Sequence, residues 1–298
     1  MKLTNCLFGV SMLLFVMSTI GTSQPLHGIV KEGLTITSKI LKSDVRYTIY
    51  LPPDYETSSR YYPVVYLLHG YTDNDIAWIQ FGEADRLADR AIADGEIPPM
   101  ILVMPDAGTS WYINNYDRSV CYEDFFFKEF IPAVEKQWRI RNEKRYRGIA
   151  GLSMGGFGAT LYALKHSEMF AACAAFSAAF YTEEEIVNLD STQWNRINAI
   201  LYGPNLIGEA RLTPHLRSNN PFAIVKNSDP EKLKEVRWYF DCGDDDFLYK
   251  GNSMFHILLR DFGVPHEYRM RDGGHQWSYW RSGLIEGLKF IGVSFHQP

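Results

Sequence analysis

The chain has 298 residues, of which 46% are hydrophobic and 22% charged, an ordinary globular composition that suffices for one large α/β domain or two small ones. Its formal net charge of -5, without an extended basic block, argues against nucleic acid as a partner. Aromatic residues make up 14%, more than a core alone needs, so part of the surplus is expected to line a binding groove.

In chain order, Lys2 precedes a largely apolar run from Leu7 to Ile20, and the small residues Gly21-Thr22-Ser23 follow it. This reads as a secretory signal peptide over 1–23, with the mature domain over 24–298. A membrane-spanning helix needs about 20 apolar residues, and this run is shorter. A lipoprotein cysteine would follow the run, whereas Cys6 precedes it. The protein is therefore expected to be exported, periplasmic or extracellular, without a stable membrane anchor. Cleavage would leave Cys121, Cys173 and Cys242, which allow at most one disulfide and lack metal-binding spacing.

Leu34–Ile40 and Val45–Tyr50 show strand composition around a short polar turn and predict an antiparallel hairpin at a sheet edge. Beyond Pro52-Pro53 the pattern changes to buried strands alternating with helices. Nearly unbroken apolar runs occur at Tyr62–Leu68 and Met100–Met104, and further strand patterns at Tyr146–Ala150, Ala171–Phe176, Val236–Phe240 and His266–Met270. Helical patterns include Tyr122–Trp138, Phe157–Lys165 and Ser253–Phe262. Such alternation predicts an α/β fold with a mostly parallel central sheet covered on both faces. From Tyr181 to Lys232 no strand pattern is present, and this stretch is expected to form a cap or lid insertion within a single domain.

Gly151-Leu152-Ser153-Met154-Gly155 matches a nucleophile elbow, with a strand pattern before it and a helix pattern after it. A serine nucleophile needs a base, and the base needs an orienting acid. In chains with this elbow the order is serine, acid, histidine. Among the downstream histidines, His275 lies in the glycine loop Arg271–His275 after a predicted strand, whereas His256 falls in a helix pattern and His266 in a strand. The acid is expected in the turn Asp241–Phe247. Asp246 precedes apolar Phe247-Leu248 and is the first choice, with Asp245 the alternative.

Two N–H groups must also face the oxygen of a tetrahedral intermediate. Met154, which follows the serine, supplies one, and Tyr71, in the His69-Gly70-Tyr71 turn, is the candidate for the second. His69 is expected to hold that turn by hydrogen bonds. Trp111 and Trp277 lie in or near loops at the same edge and are candidate substrate-binding residues, while Trp280 is expected to pack in the core. No partner cluster of histidines or cysteines accompanies the aspartates, so neither metal nor cofactor is expected.

His69-Gly70 after an apolar strand, the Gly151–Gly156 elbow, the Gly243–Phe247 turn and Gly274-His275 followed by Trp277 together resemble the esterase D family. This branch of the α/β-hydrolases includes feruloyl and acetylxylan esterases, S-formylglutathione hydrolase and the mycolyltransferases. The resemblance extends from about Leu34 to Ile291. It implies an α/β-hydrolase fold, Asp246 as the acid, and Tyr71 and Met154 as oxyanion donors. With export, it points to the secreted branch and to small or polysaccharide-linked esters, in particular feruloyl or acetyl esters of plant polysaccharides. An acyltransferase of the mycolyltransferase type and a general short-chain carboxylesterase are the alternatives. The oligomeric state is not legible in the sequence.

Overall fold

Eight strands form one sheet in the computed structural model, which describes residues 27–296. The expected signal peptide lies outside the described residues. The strands are β1 (Ile29–Ser38), β2 (Ser43–Leu51), β3 (Val64–Leu68), β4 (Ile101–Pro105), β5 (Arg147–Leu152), β6 (Ala172–Phe176), β7 (Arg237–Gly243) and β8 (His266–Arg271). Their spatial order is β1-β2-β4-β3-β5-β6-β7-β8. β1 and β2 form the expected antiparallel hairpin at the edge, β2 also meets β4 antiparallel, and every pair from β4 to β8 is parallel.

The apolar runs make such strands because a parallel sheet is buried on both sides. Along β3, Val64, Tyr66 and Leu68 enter one core while Val65 and Leu67 enter the other. The first core is closed by the elbow helix Met154–Lys165, by helix Tyr249–Asp261 and by the aromatic segment around Phe125, Phe126 and Phe130. The second is closed by helix Ala84–Ala93 and the C-terminal helix Trp277–His296. Among the described residues no helix is long and apolar enough to cross a membrane.

Several boundaries differ from the sequence expectation. The helical pattern at Tyr122–Trp138 is interrupted by a π-helical segment, Phe126–Phe130, before the α-helix Ile131–Gln137. β7 continues to Gly243, so Asp241 and Cys242 belong to the strand and not to the turn after it. All three described cysteines are free. Between β6 and β7 the chain forms a series of short helices from Glu183–Asn188 to Pro230–Leu233 and contributes no strand to the sheet.

Candidate active site

The parallel strands all deliver their C-terminal ends to one edge, where open α/β sheets hold their ligands. Ser153 follows β5 directly and has φ 55° and ψ -119°. A non-glycine residue in such a conformation is strained by about 1–3 kcal/mol. The neighbouring glycines permit it. A Cβ on Gly151 would lie 2.4 Å from the Gly155 carbonyl oxygen, and one on Gly155 would lie 2.4 Å from the Leu68 oxygen. The Ser153 N–H donates to Phe176 O at 2.9 Å, and its carbonyl accepts from Phe157 and Ala179, both at 3.0 Å. The strained turn is thus tied to β6 and to the segment after it.

His275 lies in the loop between β8 and the C-terminal helix. Its Nε2 is 3.0 Å from Ser153 Oγ, and its Nδ1 is 2.9 and 3.1 Å from the two Asp246 oxygens. The ring stands beside Phe247 at 4.5 Å and edge-on to Trp280 at 4.8 Å between centroids. Trp280 is buried, as expected, and donates its indole N–H to Ser177 Oγ at 2.9 Å.

The Asp246 side chain is fully buried. Burial alone would raise its pKa, but hydrogen bonds from His275, the Leu248 N–H and Ser177 outweigh it and hold the carboxyl below its usual range. It is therefore an anion at neutral pH, able to orient His275 with its proton on Nδ1 and to favour the imidazolium. Asp244 and Asp245, by contrast, are exposed. Ser177 was not singled out from the sequence. The available signal was its place directly after β6, at the strand end where sites assemble.

The turn after β3 lies against the serine. His69 is buried, accepts the Ala107 N–H at Nε2 (2.9 Å) and so donates from Nδ1 to the Gly70 carbonyl (2.8 Å). Burial lowers its pKa and keeps it neutral. It braces the loop, as its position before Gly70 suggests. A Cβ on Gly70 would be 3.6 Å from Ser153 Cβ, so the peptide leading to Tyr71 passes beside the hydroxyl. Met154 opens the elbow helix, where an N–H has no acceptor within its own helix.

A cavity of about 110 Å³ lies between the body of the fold and the insertion, lined by neighbours of these groups and not by the triad itself. The body contributes Trp111, Phe157 and Ala179, the last two bonded to the Ser153 carbonyl. The insertion contributes Ile186, Leu189, Trp194 and Tyr202 among others. Trp111 thus faces this space, and its ring meets Tyr71 at 6.0 Å and Phe157 at 5.7 Å. Trp277 is placed elsewhere, packed against Trp78 (5.2 Å), Trp280 (5.4 Å) and Phe81 (5.8 Å). The cap aromatics Trp194 and Tyr202 escaped the sequence reading because nothing local distinguishes a lining residue from a packing one.

The family model described as "Putative esterase" matches residues 38–291. The chain is 33% identical to an esterase of Mycobacterium tuberculosis over 76% of its own length, but spans only 51% of that relative. It is 25% identical to an acetyl esterase of Caldicellulosiruptor saccharolyticus, with 85% of this chain and 95% of that protein covered. Among solved structures it is similar to a ferulic acid esterase, with 38% identity, a TM-score of 0.77 and coverage of 91% and 99%. The strand order and this likeness make the fold that of the α/β-hydrolases.

Proposed function

The chain belongs to the putative esterase family, a family of carboxylic ester hydrolases, and from that premise we propose that it is an exported serine esterase acting on aromatic acyl esters of plant polysaccharides. The observation that carries this reading is the hydrogen-bonded series Ser153 Oγ, His275 Nε2, His275 Nδ1 and buried Asp246. His275 takes the proton of Ser153 as Oγ attacks the ester carbonyl. The N–H groups of Tyr71 and Met154 receive the developing oxyanion, with the positive end of the elbow helix behind Met154. The carbonyl re-forms as the alcohol leaves with the proton from His275. Water, deprotonated by His275, then attacks the acyl-enzyme, and the free acid leaves as Ser153 recovers its proton.

The acyl group is assigned to the cavity beside Ser153. Its aromatic and aliphatic lining exceeds what an acetyl group needs and suits a flat hydroxycinnamoyl ring such as feruloyl. The likeness to a ferulic acid esterase supports this choice over acetyl. Export rests on the apolar run from Leu7 to Ile20 and on Gly21-Thr22-Ser23. Replacing Ser153 by Ala is the test: hydrolysis of methyl ferulate and of 4-nitrophenyl acetate should be abolished with the melting temperature unchanged. Near-normal turnover by that variant would overturn the assignment.

A further inference from the structure

We propose that Arg211, which is remote from the reacting atoms, determines acyl selectivity by fixing the cap wall of the cavity beside Ser153. This rests on the esterase reading above. Arg211 is 1% exposed, yet its guanidinium is met by backbone carbonyls and not by a carboxylate hydrogen bond. Nε donates to Leu206 O at 2.9 Å, while Nη1 reaches the oxygens of Ile186 (3.0 Å), Val187 (3.2 Å) and Leu189 (2.5 Å). Asp190, in the loop that Arg211 holds, feels its charge but is exposed. A buried cation satisfied in this way is costly to assemble and costly to disturb, because removing it strands several carbonyls at once.

The residues it grips are those that shape the cavity. Ile186 and Leu189 offer their carbonyls to Arg211 and also line the cavity. Trp194, another lining residue, lies beneath the guanidinium with its ring centre 4.9 Å from the central carbon. Its indole N–H is fixed in turn by Gly203 O at 3.0 Å. Ile186, Trp194 and Leu216 form a small core of their own, separate from the two cores flanking the sheet. The cap wall is therefore held by a local device whose loss leaves the sheet, the elbow and the His275–Asp246 pair intact. An acetyl group needs only the serine and the oxyanion donors, whereas an aromatic acyl group also needs that wall.

The experiment compares Arg211→Met and Arg211→Lys with the wild type on methyl ferulate and 4-nitrophenyl acetate. Arg211→Met should lower kcat/KM for methyl ferulate by about 100-fold, the cost of a small displacement of a positioning surface. Turnover of 4-nitrophenyl acetate should change by less than about threefold, as for uniform retention of the reacting groups. Arg211→Lys, which keeps the charge and part of the hydrogen bonding, should recover part of the ferulate activity and guards against a Met variant that fails to fold. Equal losses on both esters, or no loss on either, would overturn the proposal while leaving the esterase reading standing. Absence of Ser153-dependent turnover of either ester by the wild type would overturn both.

Discussion

Ser153 Oγ and His275 Nε2 stand 3.0 Å apart although 122 residues separate them in the chain. The sheet accounts for the encounter. β5 and β8 are separated by β6 and β7, so the histidine loop must reach back across about 14 Å, three strand spacings. The loop manages this by folding against the end of β7, where a Cβ on Gly243 would fall 1.9 Å from the Gly273 carbonyl. Gly273 itself has φ +134°, a conformation open to glycine alone.

The assignment of the acid is tested by a pair of substitutions one residue apart. Asp246 is buried against His275, while Asp245 faces solvent. Asp246→Asn should lower kcat by about 10⁴-fold, because the amide favours the wrong tautomer of the histidine. Asp245→Asn should leave steady-state rates within about twofold, as expected for a surface substitution. Equal effects from the two would remove Asp246 from its proposed role.

Gly70 offers a test of the oxyanion loop. A methyl group there would meet Leu152 Cδ1 at 2.7 Å and Asp73 Oδ2 at 3.3 Å, beside Ser153. The loop must shift to admit it, carrying the Tyr71 N–H with it. Gly70→Ala should therefore reduce kcat by about 100-fold, comparable to losing one oxyanion donor, with KM little changed. Steady-state kinetics on 4-nitrophenyl acetate give the readout, and an unaltered kcat would argue that Tyr71 is not a donor.

The parts of this molecule that were legible in the sequence are those governed by short periodicities and sharp turns. Each apolar run became a strand because both of its faces are buried, and Gly151 and Gly155 marked the elbow because no side chain fits at either place. The order of Ser153, Asp246 and His275 followed from chemistry, and the structure brings the three together. Asp241 was less legible. It looked like the first acid of a turn, but its carboxylate pairs with Arg271 on the next strand, and such long-range pairing leaves no local signature. The cap was recognisable only as the lack of a strand pattern. Its helices draw stability from Arg211 and Trp194, contacts made between residues distant in sequence.

Acid sensitivity is expected from a histidine pair outside the active site. His266 donates from Nδ1 to Val264 O at 2.8 Å, so its Nε2 must accept from His256 Nδ1 at 2.7 Å. His256 also stacks on Tyr268 at 4.6 Å. Burial, followed by the facing His266 ring and then the charge of Arg260, lowers the pKa of His256; burial, with Arg260, lowers that of His266. With folded values below the ordinary 6.5, the unfolded chain takes up protons first. Stability from this pair is complete above that pH and is lost as pH falls from it toward the folded values. Thermal melts between about pH 7.5 and about pH 5 should show a steeper acid loss for the wild type than for His266→Gln. Buried His69, whose pKa is also lowered, should leave a residual slope in the variant. Identical pH dependence in both proteins would exclude the pair as a source.

The connection carrying His275 is anchored by a buried carboxylate. Asp241, fully buried at the end of β7, accepts from Arg271 Nε at 3.0 Å and Nη2 at 2.8 Å, and also from the Tyr279 hydroxyl. Arg271 ends β8, four residues before His275, and Tyr279 lies in the first turns of the C-terminal helix. Gly283 makes room for the cluster, since a Cβ there would approach Arg271 Nη2 at 2.6 Å and Asp241 Oδ2 at 2.8 Å. Arg271→Met would leave the Asp241 charge buried without its cation and should cost about 3–5 kcal/mol in urea unfolding. Adding Asp241→Asn removes the stranded charge while keeping an acceptor for Tyr279, so the double variant should be more stable than Arg271→Met alone. If the second substitution instead adds to the first, the two residues act independently and the ion pair is not what holds the histidine loop to β7.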